Sequence, residues 1–232
     1  MKPLAIIIPT KNELGSIPPL VREIDIEMSH RPWVAVLVDS STDGTADEIE
    51  ALAAMDNRVR LVRQKSTGLA GALSEGLAAA PRAQFIAVMD ADGQHDPRYL
   101  PELTHHVRSG QRDIAIASRI SSTGAPSRAR MVDTAAIGLV RNALDTTVLD
   151  PLSRYFVVRR SLLEAGLAAP MPANLAAPLI PLLAANPTAH AIELPILLRP
   201  RARGRSKMGI ATTVATLTAI ARITLDARRK AA

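Results

Sequence analysis

An α/β fold with a mainly parallel central sheet flanked by helices is predicted by three features of the chain. Short apolar runs alternate with segments of helical spacing through the first half, the order that places crossover helices between parallel strands. The first of these runs, ending at Pro9, has the continuous apolar character of a strand buried on both faces. Of the 232 residues, 47% are hydrophobic and only 2% aromatic, so a sizeable core must be built from Ala, Leu, Ile and Val.

The elements follow in order. Leu4, Ala5, Ile6, Ile7 and Ile8 form the first strand, and Ile17, Leu20, Val21, Ile24 and Met28 repeat at helical spacing. Residues 34–38 are the second strand, and the helix over 45–55 is opened by Asp43-Gly44-Thr45, with Asp43 and Thr45 shaping the turn and capping. A strand at 59–62, a helix at 69–80 and a strand at 85–89 come next. Pro97 stands near the start of a helix over 98–107, which leads to a strand at 113–117. The second half is less regular. The spacing predicts a helix over 135–144 with Ile137, Val140 and Leu144 turned to the core, a strand over 154–158 and a short helix over 161–167. A strand over 189–198 and a helix with a basic end from Gly209 complete the chain, and no internal repeat is present. In a parallel sheet ligands gather at the carboxyl ends of the strands, which brings together four polar loops, 9–13, 39–45, 90–96 and 118–119.

Charge and composition restrict the partners. The net charge is +6, yet nine of the 28 Lys/Arg lie from Arg199 onward, against a single acid there, Asp226. Such an end attracts phosphates, whether of a nucleotide, a lipid head group or a nucleic acid. A nucleic-acid module is the least favoured, because no aromatic side chains are interleaved with the basic cluster and no reading helix is evident. The absence of cysteine excludes disulfides and thiolate chemistry. No signal peptide is visible, and no apolar run approaches the ~18 residues that span a bilayer. The longest candidate, residues 210–225, carries five threonines and Arg222. The expectation is a cytoplasmic protein, soluble or peripheral on an anionic membrane face.

The segment Met89-Asp90-Ala91-Asp92-Gly93-Gln94-His95-Asp96-Pro97 carries the sharpest chemistry. Two carboxylates one residue apart point to opposite faces of a strand, so they converge only where the strand ends and the chain turns. Asp90, Asp92 and the Gln94 oxygen make a hard-oxygen set suited to Mg²⁺ or Mn²⁺, an ion that bridges a diphosphate and neutralises a leaving group. Asp39, also at a strand end, is placed to accept hydrogen bonds from a base or ribose.

In order and spacing these segments resemble the family 2 inverting glycosyltransferases of the GT-A fold, especially the dolichol- or polyprenol-phosphate mannose synthases. Ile8-Pro9-Thr10-Lys11-Asn12-Glu13 is similar to the opening Pro-Thr-Tyr-Asn-Glu motif, and Asp39 to Thr45 to Asp-Asp-Gly-Ser-x-Asp-Gly-Thr. Gly68-Leu69-Ala70-Gly71-Ala72, preceded by Arg63, resembles Gly-Leu-Gly-x-Ala, and Asp113 to Arg119 resembles Asp-Ile-Val-x-Gly-Ser-Arg. Glu193-Leu194-Pro195-Ile196 and then Arg201-Ala202-Arg203-Gly204-Arg205-Ser206-Lys207-Met208 resemble the family's ending.

The resemblance implies a Rossmann-like domain over residues 1–208, with a nucleotide-sugar half at 1–120 and an acceptor half at 121–208, followed by a basic helix at 209–232. It implies that Pro9, Thr10, Lys11, Glu13 and Asp39 hold the nucleoside, with Arg63, Gly68 and Ala91 also at the donor. Asp90, Asp92 and Gln94 hold the metal, Arg119 and Arg201 contact phosphates, and Ser206 and Lys207 lie on a loop over the donor. A guanidinium fork suits phosphate oxygens, whereas a surface ion pair is the plainer reading of Arg119 and a solvated basic run that of Arg201.

The implied reaction is inverting transfer of a hexose, mannose from GDP-mannose, to a polyprenyl phosphate. Such an acceptor is already an anion, so the chemistry reduces to positioning and charge neutralisation. A hydroxyl acceptor needs a base, with His95 and Asp96 first to test, although Asp96-Pro97 better fits a helix cap. Four positions depart from the family: Lys11 for Tyr and Val38 for Asp, both where the resemblance puts the nucleobase, Arg154 for Gly on the acceptor side, and a Glu missing from residues 174–186, near Ile180. They keep two alternatives open, a glycosyltransferase with a soluble acceptor such as a secondary metabolite or glycan, and a non-catalytic relative that binds nucleotide or a partner protein.

Overall fold

A computed structural model describes residues 3–119, 131–168, 175–200 and 218. Seven strands, β1 (Leu4–Thr10), β2 (Trp33–Asp39), β3 (Val59–Arg63), β4 (Phe85–Val88), β5 (Ile114–Ser118), β6 (Phe156–Arg159) and β7 (Ala191–Pro195), form one sheet in the order β3-β2-β1-β4-β6-β5-β7. Neighbours pair in parallel except at β6, which runs antiparallel to both β4 and β5. The helices are α1 (Ile17–Glu27), α2 (Thr45–Met55), α3 (Gly68–Ala79), α4 (Leu100–Arg108), α5 (Met131–Leu144), α6 (Arg160–Ala168) and α7 (Leu179–Ala185).

Strand β1 shows how the sequence makes the layers. Alternate side chains leave a strand on opposite faces. Leu4, Ile6 and Ile8 join Leu20, Ile24 and Leu103 on the face covered by α1 and α4. Ala5 and Ile7 join Leu73, Leu77, Leu179 and Leu182 on the face covered by α3 and α7. All five strand residues are fully buried, so the unbroken apolar run is the mark of a central strand with both faces covered. Helix α3 approaches β1 closely at Gly76, where an added Cβ would lie 2.6 Å from Ile7 Cγ2.

Several local expectations are corrected. Residues 154 and 155 precede β6, because the Ser153 hydroxyl donates to the carbonyls of Ala117 and Tyr155 and accepts the Tyr155 N–H. The last strand stops at Pro195, although the Ile196 N–H still donates to the Ser118 carbonyl of β5, and residues 197–200 lie beyond the strand. Thr45 does not cap α2: the N-cap is Gly44, at φ 90°, and the Thr45 hydroxyl instead donates to Asp43 and accepts the Glu13 N–H. Helix α7 escaped notice because its seven residues are too few to show a period. Among the described residues no helix is long and apolar enough to cross a membrane. The basic helix expected over 209–232, apart from Thr218, and Asn174 at the start of the segment that lacks the Glu lie outside the described residues.

Candidate active site

The parallel register places Thr10 opposite Asp39 and Asp39 opposite Arg63, so β1, β2 and β3 end together. The loops beyond are tied across the gap. Thr10 and Ser41 hydroxyls donate to Asp39 Oδ1 at 2.8 and 2.5 Å, and the Ser41 N–H donates to Oδ2 at 3.1 Å. Asn12, at φ 53°, donates its N–H to the Ser41 hydroxyl and accepts the Thr42 N–H on its side chain. Asp39 is therefore buried and oriented before any ligand arrives, and Oδ2, with one N–H, keeps capacity for a further donor.

Other donor-side positions separate from it. Pro9 lies within β1 opposite Val38, and Lys11 is exposed on the loop beyond. Arg63 turns towards Asp47 and Glu50 of α2, 3.6 Å from each. Gly68, at φ 76°, opens α3 and accepts the Gln64 side-chain amide on its carbonyl. Val38, expected beside the nucleobase, is instead fully buried in the apolar cluster under α3, because its neighbour Asp39 takes the opposite face of the strand.

The Asp-x-Asp loop is built on the end of β4. Ala91 and Asp92 are buried, Gly93 turns the chain at φ 80°, and the Gln94 N–H donates to Asp92 Oδ1 at 3.0 Å. His95 tucks beneath, its ring stacked on Tyr155 with centroids 5.1 Å apart. The Asp90 N–H donates to His95 Nδ1 at 2.9 Å, which assigns the ring proton to Nε2. Burial pushes the imidazole pKa below its ordinary value, so His95 is neutral at physiological pH and organises the loop. Its second nitrogen lies 3.9 Å from Asp90 Oδ2. Asp96 acts as the helix cap: Oδ1 accepts the Arg98 N–H, and the carboxylate is closed off by Arg98 and Arg199.

Two arginines face this loop from the second half of the sheet. Arg119, just past β5, grips Asp150 with Nε and Nη2 at 2.8 Å each, and its N–H donates to the same carboxylate. Asp150 is completely buried, and its own N–H and that of Leu149 are held by Glu193 of β7. Arg154 reaches Asp90, with Nη2 2.5 Å from Oδ2. The Arg199 backbone also returns to the loop, donating to the Gln94 carbonyl at 3.1 Å. Asp150, Arg199 and Tyr155 are positioning residues to which the sequence assigned no role, and Glu193, quoted within a motif, gains one here, since each acts through a neighbour distant in sequence. Arg201, Ser206 and Lys207 lie outside the described residues, which break off after residue 200 beside this loop.

Whether the site suits a divalent ion is a question of its donor set. Among the described residues no three His, Cys, Asp or Glu side chains gather as a cage. Two carboxylates on one turn fit Mg²⁺ or Mn²⁺ all the same, because such ions take one or two carboxylates and complete their shell with water and phosphate oxygens.

Six strands of one direction around a single reversed strand, with an Asp-x-Asp turn at the carboxyl edge, define a GT-A-like glycosyltransferase fold. Solved structures share it: glucosyl-3-phosphoglycerate synthase from Mycobacterium tuberculosis, in complex with Mn²⁺, UDP-glucose and phosphoglyceric acid, superposes with a TM-score of 0.73 at 19% identity, over 96% of this chain and 80% of that one. Mannosyl-3-phosphoglycerate synthase from Rubrobacter xylanophilus gives 0.68 at 17% identity, over 95% and 73%. The chain belongs to glycosyl transferase family 2, which matches residues 5–167. It is 31% identical to the dolichol-phosphate mannosyltransferase of Pyrococcus furiosus over 212 residues, 88% of this chain and 59% of the relative. It is 33% identical to the undecaprenyl-phosphate mannosyltransferase of Micrococcus luteus over 166 residues, 68% of this chain and 67% of the relative. The chain thus spans about three fifths of the length of its Pyrococcus relative.

Proposed function

We propose that the protein transfers a hexose, mannose from GDP-mannose, to a polyprenyl phosphate with inversion at the anomeric carbon. The observation that carries this reading is the convergence at one sheet edge of Asp39, the Asp90–Asp92 turn and Arg119, in a family 2 chain similar to enzymes named for mannosyl transfer to polyprenyl phosphates. Asp39, held by Thr10 and Ser41, takes the nucleoside through Oδ2, with Pro9 near the end of β1 and Lys11 and Glu13 on the loop beyond. Asp90 and Asp92, with Gln94, hold a Mg²⁺ or Mn²⁺ ion, which supplies charge neutralisation to the diphosphate. Arg119, pre-aimed by Asp150, presents a guanidinium edge to phosphate oxygens, and Arg201, Ser206 and Lys207 complete the donor side. A lipid phosphate attacks as an anion, which agrees with a site where His95 and Asp96 are occupied within the loop. The acceptor brings the chain to a membrane surface, where the basic residues from Arg199 onward meet anionic head groups.

The test is a transfer assay with GDP-mannose and UDP-glucose as donors and a short-chain polyprenyl phosphate or 3-phosphoglycerate as acceptor, in Mn²⁺ or EDTA, with products weighed by mass spectrometry. Mannosylated lipid phosphate formed only with metal is the expected result. Transfer to the soluble acceptor alone contradicts the lipid assignment, and no transfer to either favours a binding role.

A further inference from the structure

Arg154, a departure from the family, reaches the Asp-x-Asp loop, and the fold leaves it little choice. In the antiparallel pair β4–β6, Val88 lies opposite Phe156, and continuing that register by two residues sets Asp90 opposite Arg154. The backbone there is fixed on both sides. Ser153 is tied to Ala117, the Tyr155 carbonyl accepts the Ala117 N–H, and the buried Tyr155 hydroxyl donates to the Asp96 carbonyl at 3.0 Å. A guanidinium delivered from this point meets Asp90 Oδ2 at 2.5 Å.

The two arginines of the site differ in kind. Arg119 is locked to a carboxylate with no exposure, in a two-pronged grip. Among the described residues Arg154 makes one ion pair, with Asp90, and the two side chains are 34% and 18% exposed, so this pair is open to exchange. A hard cation seeks the same carboxylate at ~2.1 Å, and on either oxygen it would sit close to the guanidinium, where the two positive charges repel. We propose that Arg154 is a built-in counter-ion for Asp90 that competes with the divalent ion, so that metal enters only as Arg154 gives up the carboxylate. This rests on the reading of Asp90 and Asp92 as metal ligands. Its consequence is a metal-poor free protein whose site carries its own positive charge.

The test is Mn²⁺ binding to the full chain without nucleotide, read by the loss of the free-ion electron paramagnetic resonance signal, for wild type, R154Q and R154G. R154Q removes the charge and keeps much of the length, R154G restores the family's residue, and thermal unfolding verifies that both fold. Both variants are expected to bind Mn²⁺ about tenfold more tightly than wild type, within the usual range for coupled ligands. Equal affinity in all three overturns the competition and leaves the metal assignment standing. Weaker binding in the variants also overturns it, by making Arg154 a support for the metal. No Mn²⁺ uptake by any of the three also overturns the competition, because removing the arginine then frees no site for the ion.

Discussion

At the scale of single residues, the site depends on carboxylates whose orientation is set by neighbours. Asp92, buried and holding the Gln94 N–H, should be replaceable by Ala with the fold retained, while Mn²⁺-dependent donor binding is lost. Circular dichroism and donor titration check the two halves separately, and wild-type donor affinity in Mn²⁺ would sink the metal assignment. Asp150 fixes Arg119 from a fully buried position. Asp150→Ala leaves that guanidinium without its grip and is expected to cost about 3 kcal/mol in denaturant unfolding, with donor affinity falling as well. A stability loss of a few tenths of a kcal/mol would show that the pair is not structural. Arg201→Ala is expected to weaken donor binding by the loss of a phosphate contact, and unchanged affinity for GDP and GDP-mannose would remove Arg201 from the site.

At the scale of elements, two junctions position the carboxyl edge. Gly76→Val would drive its side chain into Ile7, already 2.6 Å from where a Cβ would lie, and forces α3 away from β1. A loss of about 2 kcal/mol is expected, and a thermal midpoint equal to that of wild type would contradict the packing. Asp113 joins β5, β6 and β7: its carboxylate accepts the His190 N–H and the Arg159 guanidinium. Those partners, the His190 N–H first, hold its pKa below the ordinary aspartate value. A depressed carboxylate stabilises the fold fully above the unfolded pKa of about 3.9 and loses that contribution as pH falls through the lower folded value. Asp113→Asn should therefore cost about 1 kcal/mol at pH 7, with the gap to wild type closing only below about pH 4. A gap that stays constant down to pH 2 would mean that the charge is not what matters.

Across the whole molecule, legibility follows how local each cause is. The first half is readable because β1, β2, β4 and β5 are apolar runs that end in polar loops, which brings Thr10, Asp39, Asp90 and Arg119 to one edge from the sequence alone. The reversed placement of β6 between β4 and β5 was not readable, because a four-residue apolar strand carries no sign of its direction. The Asp90–Arg154 pair follows from that placement, as the Arg119–Asp150–Glu193 chain follows from β5 and β7 being neighbours. Val38 shows the opposite failure: the motif resemblance puts it at the nucleobase, while strand alternation points it to the core.

The central claim is that this edge binds a nucleotide sugar through a metal held by Asp90 and Asp92. Calorimetric titration of GDP-mannose into wild type and Asp92→Ala, each with and without Mn²⁺, tests it most directly. The account predicts binding to wild type that strengthens markedly with Mn²⁺ and a variant in which Mn²⁺ makes no difference. Binding to both proteins with equal affinity, indifferent to Mn²⁺, would contradict it.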